Sequence, residues 1–329
     1  MIETFDLTPS HVGLGDLNEF ALLTLVANTH YRILTQGTNA TPRRIVDKAG
    51  EALYPSVFAL HLQAPIRRPI EAHVLWEKLS VGADVRCFGR SFLDVRGVVG
   101  RAGEVPDAPE KWTSAPLPSV CWAGAWTLKG EVAMPAPPFV ANVPHAAAPP
   151  VLLAMFRAAQ SRGTIAEAPG ALTPSAPILY PVVAGRDVAR GRQMMFSQFV
   201  VVMDHAERVF LTERVWPSFP CELIECRTTL ERRIFYFGNC RADDVVETVV
   251  GACLEKVARP SDEDLPFVPG AIVALTMALT DKNSRRLVAL CETRKLLAIP
   301  SNQVGLLRDA ERMLARHGEH TPLKELRQC

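Results

Sequence analysis

Residues 194–215, MMFSQFVVVMDHAERVFLTERV, read as one long helix whose character changes along its length. Its middle, Phe199-Val200-Val201-Val202-Met203, is apolar on every side, the pattern of a helix wrapped by other structure. Past Asp204 the segment turns amphipathic, with Asp204, Glu207 and Arg208 set against Ala206, Val209 and Phe210. Asp204 and Arg208 stand at the i,i+4 spacing of an ion pair. The design recurs at 17–34, where Phe20-Ala21-Leu22-Leu23 and Leu25-Val26-Ala27 make an apolar middle behind Asp16 and Glu19, a loose capping box. Strand-like runs follow each helix, so the chain reads as two similar halves, each a sheet curled around one central helix.

Working outward in the first half, 52–62 alternates as a strand, with Pro55 removing one ladder donor. Further strands are expected at 72–78, 85–93 and 120–127, broken by Gly/Pro-bearing segments around 97–109 and 114–118. Six prolines between 135 and 150 exclude a regular element and mark a linker, which sets the expected domains at 1–140 and 151–329. The second domain is expected to run from a short helix at 151–161 through strands at 178–183, 221–229, 234–239, 245–256, 271–279 and 286–299. A final helix from Ser301 to His317 reads as an appendage.

A net charge of +1 with 22% charged residues excludes a dedicated nucleic-acid or membrane-surface role. The eight cysteines stand singly, with no CxxC pair and no Cys/His cluster at zinc spacing, so no metal and no cofactor are expected. Without a leader-like start or an apolar run of about 20 residues, the expectation is a cytoplasmic protein with reduced thiols.

Four stretches sharpen the picture when taken in order. They are His11-Val12-Gly13-Leu14-Gly15-Asp16-Leu17-Asn18-Glu19 with Ala21-Leu22-Leu23; Leu53-Tyr54-Pro55-Ser56-Val57-Phe58; Met195-Phe196 through Asp204-His205-Ala206-Glu207-Arg208; and Phe235-Tyr236-Phe237-Gly238-Asn239-Cys240. Together, over about 11–298, they resemble the double hot-dog polyketide-biosynthesis family that includes the leinamycin-pathway acyltransferase/decarboxylase. The resemblance implies an α+β double hot-dog fold, two antiparallel sheets each wrapped around a long helix. It also implies an activity: a malonyl-type group, malonyl or methylmalonyl, is taken from coenzyme A onto a tyrosine, decarboxylated and loaded onto an acyl carrier protein. That tyrosine maps to Tyr54. Two departures stand out. The family's Asp-Leu-Asn-Gly-like turn is here Asp187-Val188-Ala189-Arg190-Gly191-Arg192, without its asparagine, and the residue after the tyrosine is Pro55.

A phenol of pKa about 10 attacks a thioester only when a neighbour stabilises its phenolate, and His11, His61 and Arg190 are the helpers to look for. The plainer reading makes Tyr54 a sheet tyrosine with a satisfied hydroxyl. The enolate formed by decarboxylation needs oxyanion donors, for which the N–H groups opening the helix at Met194, led in by Gly191, are suited. Asn239 is the second catalytic candidate, with a Gly-Asn turn as its alternative. Substrate contacts are expected from His11, Asp187, Arg190, Gly191, Met195 and Phe196, and the cluster Arg186, Arg190 and Arg192 suits a carboxylate or phosphates, or else a solvated loop. Asp204, His205, Glu207 and Arg208 read as an exposed, ion-paired helix end, with no catalytic role for His205. Two other readings stay open: a hot-dog dehydratase or thioesterase using His73 or Asp187, and a non-catalytic acyl- or carrier-binding protein. Hot-dog modules pair along their sheets, so the chain is expected as a monomeric pseudo-dimer or a homodimer.

Overall fold

The computed structural model describes residues 1–11, 17–36, 46, 50, 53–74, 76–89, 91–128, 131–132, 143–162, 176–188, 193–215, 221–256 and 267–317. The chain divides into two compact units, Met1–Ala64 with Ile70–Gly163, and Pro65–Pro69 with Thr164–Cys329. The first carries β1 (Ile2–Asp6), α1 (Glu19–Thr35), β2 (Tyr54–Gln63), β3 (Lys78–Phe88), β4 (Phe92–Arg101), β5 (Ser119–Leu128), β6 (Glu131–Val132) and α2 (Val151–Arg162). Its antiparallel strands lie in the order β1-β3-β4-β5-β2, with β6 on β5.

The second unit carries β7 (Ile178–Pro181), α3 (Gln198–Val209) prolonged by a π turn at Phe210–Val215, α4 (Cys221–Glu225), β8 (Arg227–Tyr236), β9 (Val245–Lys256), β10 (Phe267–Asp281), β11 (Leu287–Pro300) and α5 (Val304–His317). Its strand order is β7-β9-β10-β11-β8. Substituting each strand for its counterpart reproduces the order of the first unit.

The likeness extends to single hydrogen bonds. After β1, Leu7 accepts from Trp76 and donates to Glu77, each at 2.9 Å; after β7, Val182 accepts from Asp243 at 3.0 Å and donates to Asp244 at 2.9 Å. Leu17 N–H donates to His73 C=O (2.8 Å) as Met194 N–H does to Cys240 C=O (3.0 Å). Trp76 and Asp243 share a left-handed backbone, with φ of 70° and 71°. Each turn is closed by a carboxylate three residues on: Glu77 Oε2 accepts from Val74 N–H, and Asp244 Oδ2 from Arg241 N–H. His73 and Cys240 are thus equivalent positions, and so are Glu77 and Asp244.

Each long helix is placed by its apolar side. Asn18 caps α1 by accepting from Ala21 N–H at 2.8 Å; the helix packs on β3 and β4, and its Leu22, Leu23 and Val26 are fully buried. The close approach depends on Gly97 of β4, because a Cβ there would fall on Val26 Cγ1 and lie 3.1 Å from Cγ2. Val26 is fully buried and β-branched, so it cannot turn away. Gly97→Ala is therefore expected to destabilise the first unit by about 1–3 kcal/mol in denaturant unfolding, whereas an effect under about 0.5 kcal/mol would mean the helix lifts off freely.

Several sequence expectations shift. A short 3-10 turn at Ile70–Ala72 and the turn in which Glu77 N–H donates to Val74 C=O fill most of the segment 72–78, and the strand starts only at Lys78. The run 85–93 spans the end of β3 and the start of β4, while 97–101 continues β4 where glycines suggested a break. In the second unit 221–225 is helical, and 227–236 is one strand where two shorter ones were expected. α3 starts four residues after Met194, whose N–H is taken by Cys240 and whose backbone bridges to Val188. The helix at 151–162, expected to open the second domain, belongs to the first unit, where Phe156 packs on Phe58 with ring centroids 5.1 Å apart. Part of the expected linker, 133–142, lies outside the described residues, as does Asp16 of the expected capping box, whose place Asn18 takes.

Candidate functional site

The equivalent turns place polar side chains at the entrance of each long helix, with different chemistry in the two units. In the second, Asp187 has no exposed surface and accepts five hydrogen bonds: from Tyr180 Oη (3.2 Å), Arg186 Nε (2.7 Å) and Gln198 Nε2 (2.8 Å) on Oδ1, and from Val183 N–H (2.8 Å) and an Arg186 terminal nitrogen (2.9 Å) on Oδ2. Burial alone would raise its pKa, but the bonds from Arg186 and Val183 outweigh it and hold the carboxyl below its ordinary range. So saturated a carboxylate is a poor base. It ties β7, the following turn and the start of α3 together.

Asn239 serves the same joint. Its Oδ1 accepts from Met194 N–H (2.8 Å) and Cys240 N–H (2.7 Å), and its Nδ2 donates to Met194 C=O (3.1 Å). The Met194 N–H expected to serve an oxyanion is occupied by Asn239 and Cys240, and that of Met195 reaches Asp187 C=O at 3.4 Å. Met195 is 38% exposed beside this joint, and the Phe196 C=O accepts from buried Tyr236 Oη at 3.1 Å. Arg190, Gly191 and Arg192 lie outside the described residues.

In the first unit the place of Asp187 is taken by His11. Its Nδ1 accepts from Thr8 N–H (3.2 Å) as Asp187 does from Val183, and its C=O accepts from Asn18 N–H at 3.4 Å, as that of Asp187 does from Met195. An Nδ1 that accepts leaves the proton of a neutral ring on Nε2. The adjoining residue Leu17 donates to His73, whose side chain is nearly buried and sets Nδ1 3.1 Å from Glu77 Oε2. Glu77 Oε1 in turn accepts from Arg101 Nε at 2.5 Å. Burial pulls the His73 pKa down and Glu77 pulls it up, with the net result below the usual histidine value. Beside the pair, Val74 and Trp76 are 50% and 70% exposed.

Tyr54 opens β2 of the first unit, with its side chain largely exposed. Its C=O accepts from Thr127 Oγ1 at 3.1 Å, and among the described residues its hydroxyl has no hydrogen-bond partner. His61 sits seven residues along the same strand, roughly 20 Å away at about 3.3 Å per residue, too far to assist.

The polar end of α3 is ion-paired as expected but only partly exposed: His205 and Arg208 are exposed, whereas Glu207 is buried. Arg208 pairs with Glu225 and not with Asp204. Glu207 is fully buried against Arg227 of β8 and Lys295 of β11 (3.4 Å), while Asp204 binds buried Arg232 (2.8 Å) and Lys295 (3.2 Å). Against the burial that would raise it, Lys295, Arg232 and Arg227 hold the Asp204 carboxyl well below its usual range. His205 is exposed and stands edge-on to the Tyr180 ring at 5.6 Å.

Sequence reading did not single out Glu77, Arg101, Tyr180 or Gln198. The i,i+4 spacing of His73 and Glu77 and the parallel between the 73–77 and 240–244 turns were the available signals.

No protein-family model matches the chain, and no curated protein matches it by sequence. Solved structures do. An acyl-ACP thioesterase from Bacteroides thetaiotaomicron superposes with a TM-score of 0.54 at 12% identity, covering 90% of this chain and 97% of its own. The chain has the hot-dog fold. A protein assigned as an oleoyl thioesterase from Lactobacillus plantarum matches this hot-dog chain with a TM-score of 0.59 at 10% identity, over 91% of this chain and 96% of its own. Among the described residues no hot-dog helix is long and apolar enough to cross a membrane, and no three or more His, Cys, Asp or Glu side chains are placed to hold a metal ion.

Proposed function

We propose that the chain is a double hot-dog enzyme that hydrolyses acyl thioesters of coenzyme A or of an acyl carrier protein. The observation carrying this reading is the likeness to two thioesterases over nine-tenths or more of every chain compared, joined to the strand-for-strand equivalence of the two units. Hydrolysis is favoured over transfer through a covalent intermediate because, among the described residues, the Tyr54 hydroxyl has no hydrogen-bond partner to stabilise a phenolate. Asp187 and Asn239 then shape the entrance of α3 and take no part in proton transfer, and exposed Met195 is available to an acyl chain. On this reading the protein works in the cytoplasm, as a monomeric pseudo-dimer or a homodimer.

The second reading is the acyltransferase/decarboxylase route, in which a malonyl or methylmalonyl group passes from coenzyme A to Tyr54, loses carbon dioxide and moves to an acyl carrier protein. The feature in its favour is that Tyr54 is 55% exposed, as a covalent relay between two large carriers requires. Arg190 and Gly191, which lie outside the described residues, are the substrate contacts expected on that route. Intact-protein mass spectrometry after incubation with malonyl-, methylmalonyl- and fatty acyl-coenzyme A separates the two. Hydrolysis predicts free coenzyme A, no retained acyl mass, and a Tyr54→Phe variant with thiol release within about twofold of wild type. An adduct on the Tyr54 peptide that vanishes in Tyr54→Phe would establish the transferase instead.

A further inference from the structure

The two helix entrances are the same construction filled with different residues, and the difference separates a scaffold from a reactive site. In the second unit the position of His73 is Cys240, fully buried, with a thiol pushed up to about 12 by burial. The position of His11 is Asp187, saturated by five donors. In the first unit both positions are histidines, held through Nδ1 in opposite tautomers. His11 accepts a backbone N–H on Nδ1 and so presents Nε2–H. His73 faces a carboxylate with Nδ1, so it carries its proton there and presents a bare Nε2, which no group among the described residues takes. Through their carbonyls the two histidines bind the successive residues Asn18 and Leu17, so a hydrogen-bond donor and a base share one helix entrance.

Trp76 adds an independent observation. A left-handed backbone suits Asp243 in the second unit, since aspartate tolerates that region, but it strains a tryptophan. The first unit nonetheless keeps a largely exposed Trp76 there, three residues from His73 and close to exposed Val74. An apolar platform beside an imidazole base suits a substrate with an acyl chain next to its reacting carbon.

We propose that His73, oriented by Glu77, is the general base with which the first unit hydrolyses an acyl thioester at the entrance of α1, and that His11 Nε2–H is the donor to the oxyanion. This rests on the thioester reading above. His73 Nε2 takes a proton from water as the water oxygen bonds to the thioester carbonyl carbon. The carbon–sulfur bond then breaks, the imidazolium returns the proton to the departing thiolate, and the products are a carboxylic acid and a free thiol. Glu77 is a positioning residue backed by Arg101, and the charged groups acting on His73 are Glu77, Arg101 and Glu104.

The test uses the full chain with acyl-coenzyme A and reads thiol release against pH. His73→Gln is expected to lower kcat by about 10²-fold or more with KM nearly unchanged, and to remove the acid limb of the pH profile. Glu77→Gln is expected to keep that limb but move it to lower pH, because the carboxylate that raises the His73 pKa is gone; a merely structural Glu77 would leave the limb in place. Nitrogen-15 shifts of the wild-type imidazoles give a reading that does not depend on variants folding, with bare Nε2 on His73 and bare Nδ1 on His11 expected. Wild-type turnover with His73→Gln inside twofold would overturn this proposal alone, as would a protonated Nε2 on neutral His73. A wild type that releases no thiol from any acyl thioester would defeat the functional reading and this assignment together.

Discussion

Glu207→Gln is expected to destabilise the second unit by about 3–5 kcal/mol, the range for breaking a buried ion pair by removing one partner. Glu207 and Arg232 have no exposed side-chain surface, and Arg227 and Lys295 keep 8% each. Within this network Glu207 and Asp204 face Arg227, Arg232 and Lys295. Losing one carboxylate leaves one of the two acidic groups of this network, partly exposed Asp204, to balance its three cations, and little water reaches them to compensate. Replacing Arg227 with Met as well should recover part of the loss, since the double variant removes a charge of each sign. Hydrogen exchange along α3, β8 and β11, with denaturant unfolding, measures both. A single-variant cost under about 1 kcal/mol would show that these charges are solvated and that the network does not hold α3 to its sheet.

The second large effect is a fall in the stability of the first unit with acid that His30→Leu removes. His30 is 3% exposed on α1, edge-on to Trp122 at 5.6 Å, and among the described residues its Nε2 has no hydrogen-bond partner. Burial pulls its pKa down to about 3. Above pH 6.5 the ring is neutral in both folded and unfolded chains and contributes no pH dependence. As pH falls below 6.5 the unfolded chain takes up a proton that the folded chain refuses, and stability falls by about 1.4 kcal/mol per pH unit. The loss is about 2 kcal/mol by pH 5 and levels off near 5 kcal/mol below pH 3. Carboxylates titrate alike in wild type and His30→Leu, so the difference between their stability–pH curves isolates this ring. The variant should also be at least as stable at pH 7, because it removes a buried polar atom without a partner. Parallel curves for the two proteins would contradict the assignment.

The long helices were legible because their apolar residues run right round the axis, and β10 and β11 because two long apolar runs flank the polar turn Thr280-Asp281-Lys282-Asn283-Ser284. β4 was not, since Gly97 and Gly100 look like breakers; only the packed structure shows that Gly97 is where Val26 of α1 presses on the sheet. β8 was divided for a related reason. Glu231, Arg232 and Arg233 resemble the end of a strand, yet Arg232 points to the carboxylates of α3, which themselves had looked like a solvated helix end. Charges that neutralise each other across a core carry no hydrophobic period, so neither half of the network betrays the other in sequence. The site was partly legible for the same kind of reason. His11, Asp187 and Asn239 were singled out and do stand at helix entrances, but which of them is saturated depends on partners such as Gln198, Tyr180 and Thr8 that carry no motif.

The most direct test of the account is steady-state turnover of acyl-coenzyme A thioesters by the wild-type chain, followed by thiol release and by the mass of the protein. The account predicts many turnovers per molecule, free carboxylic acid equal to free thiol, and a protein that never gains acyl mass. Acyl mass accumulating on Tyr54, or no thiol from any acyl thioester offered, would contradict it.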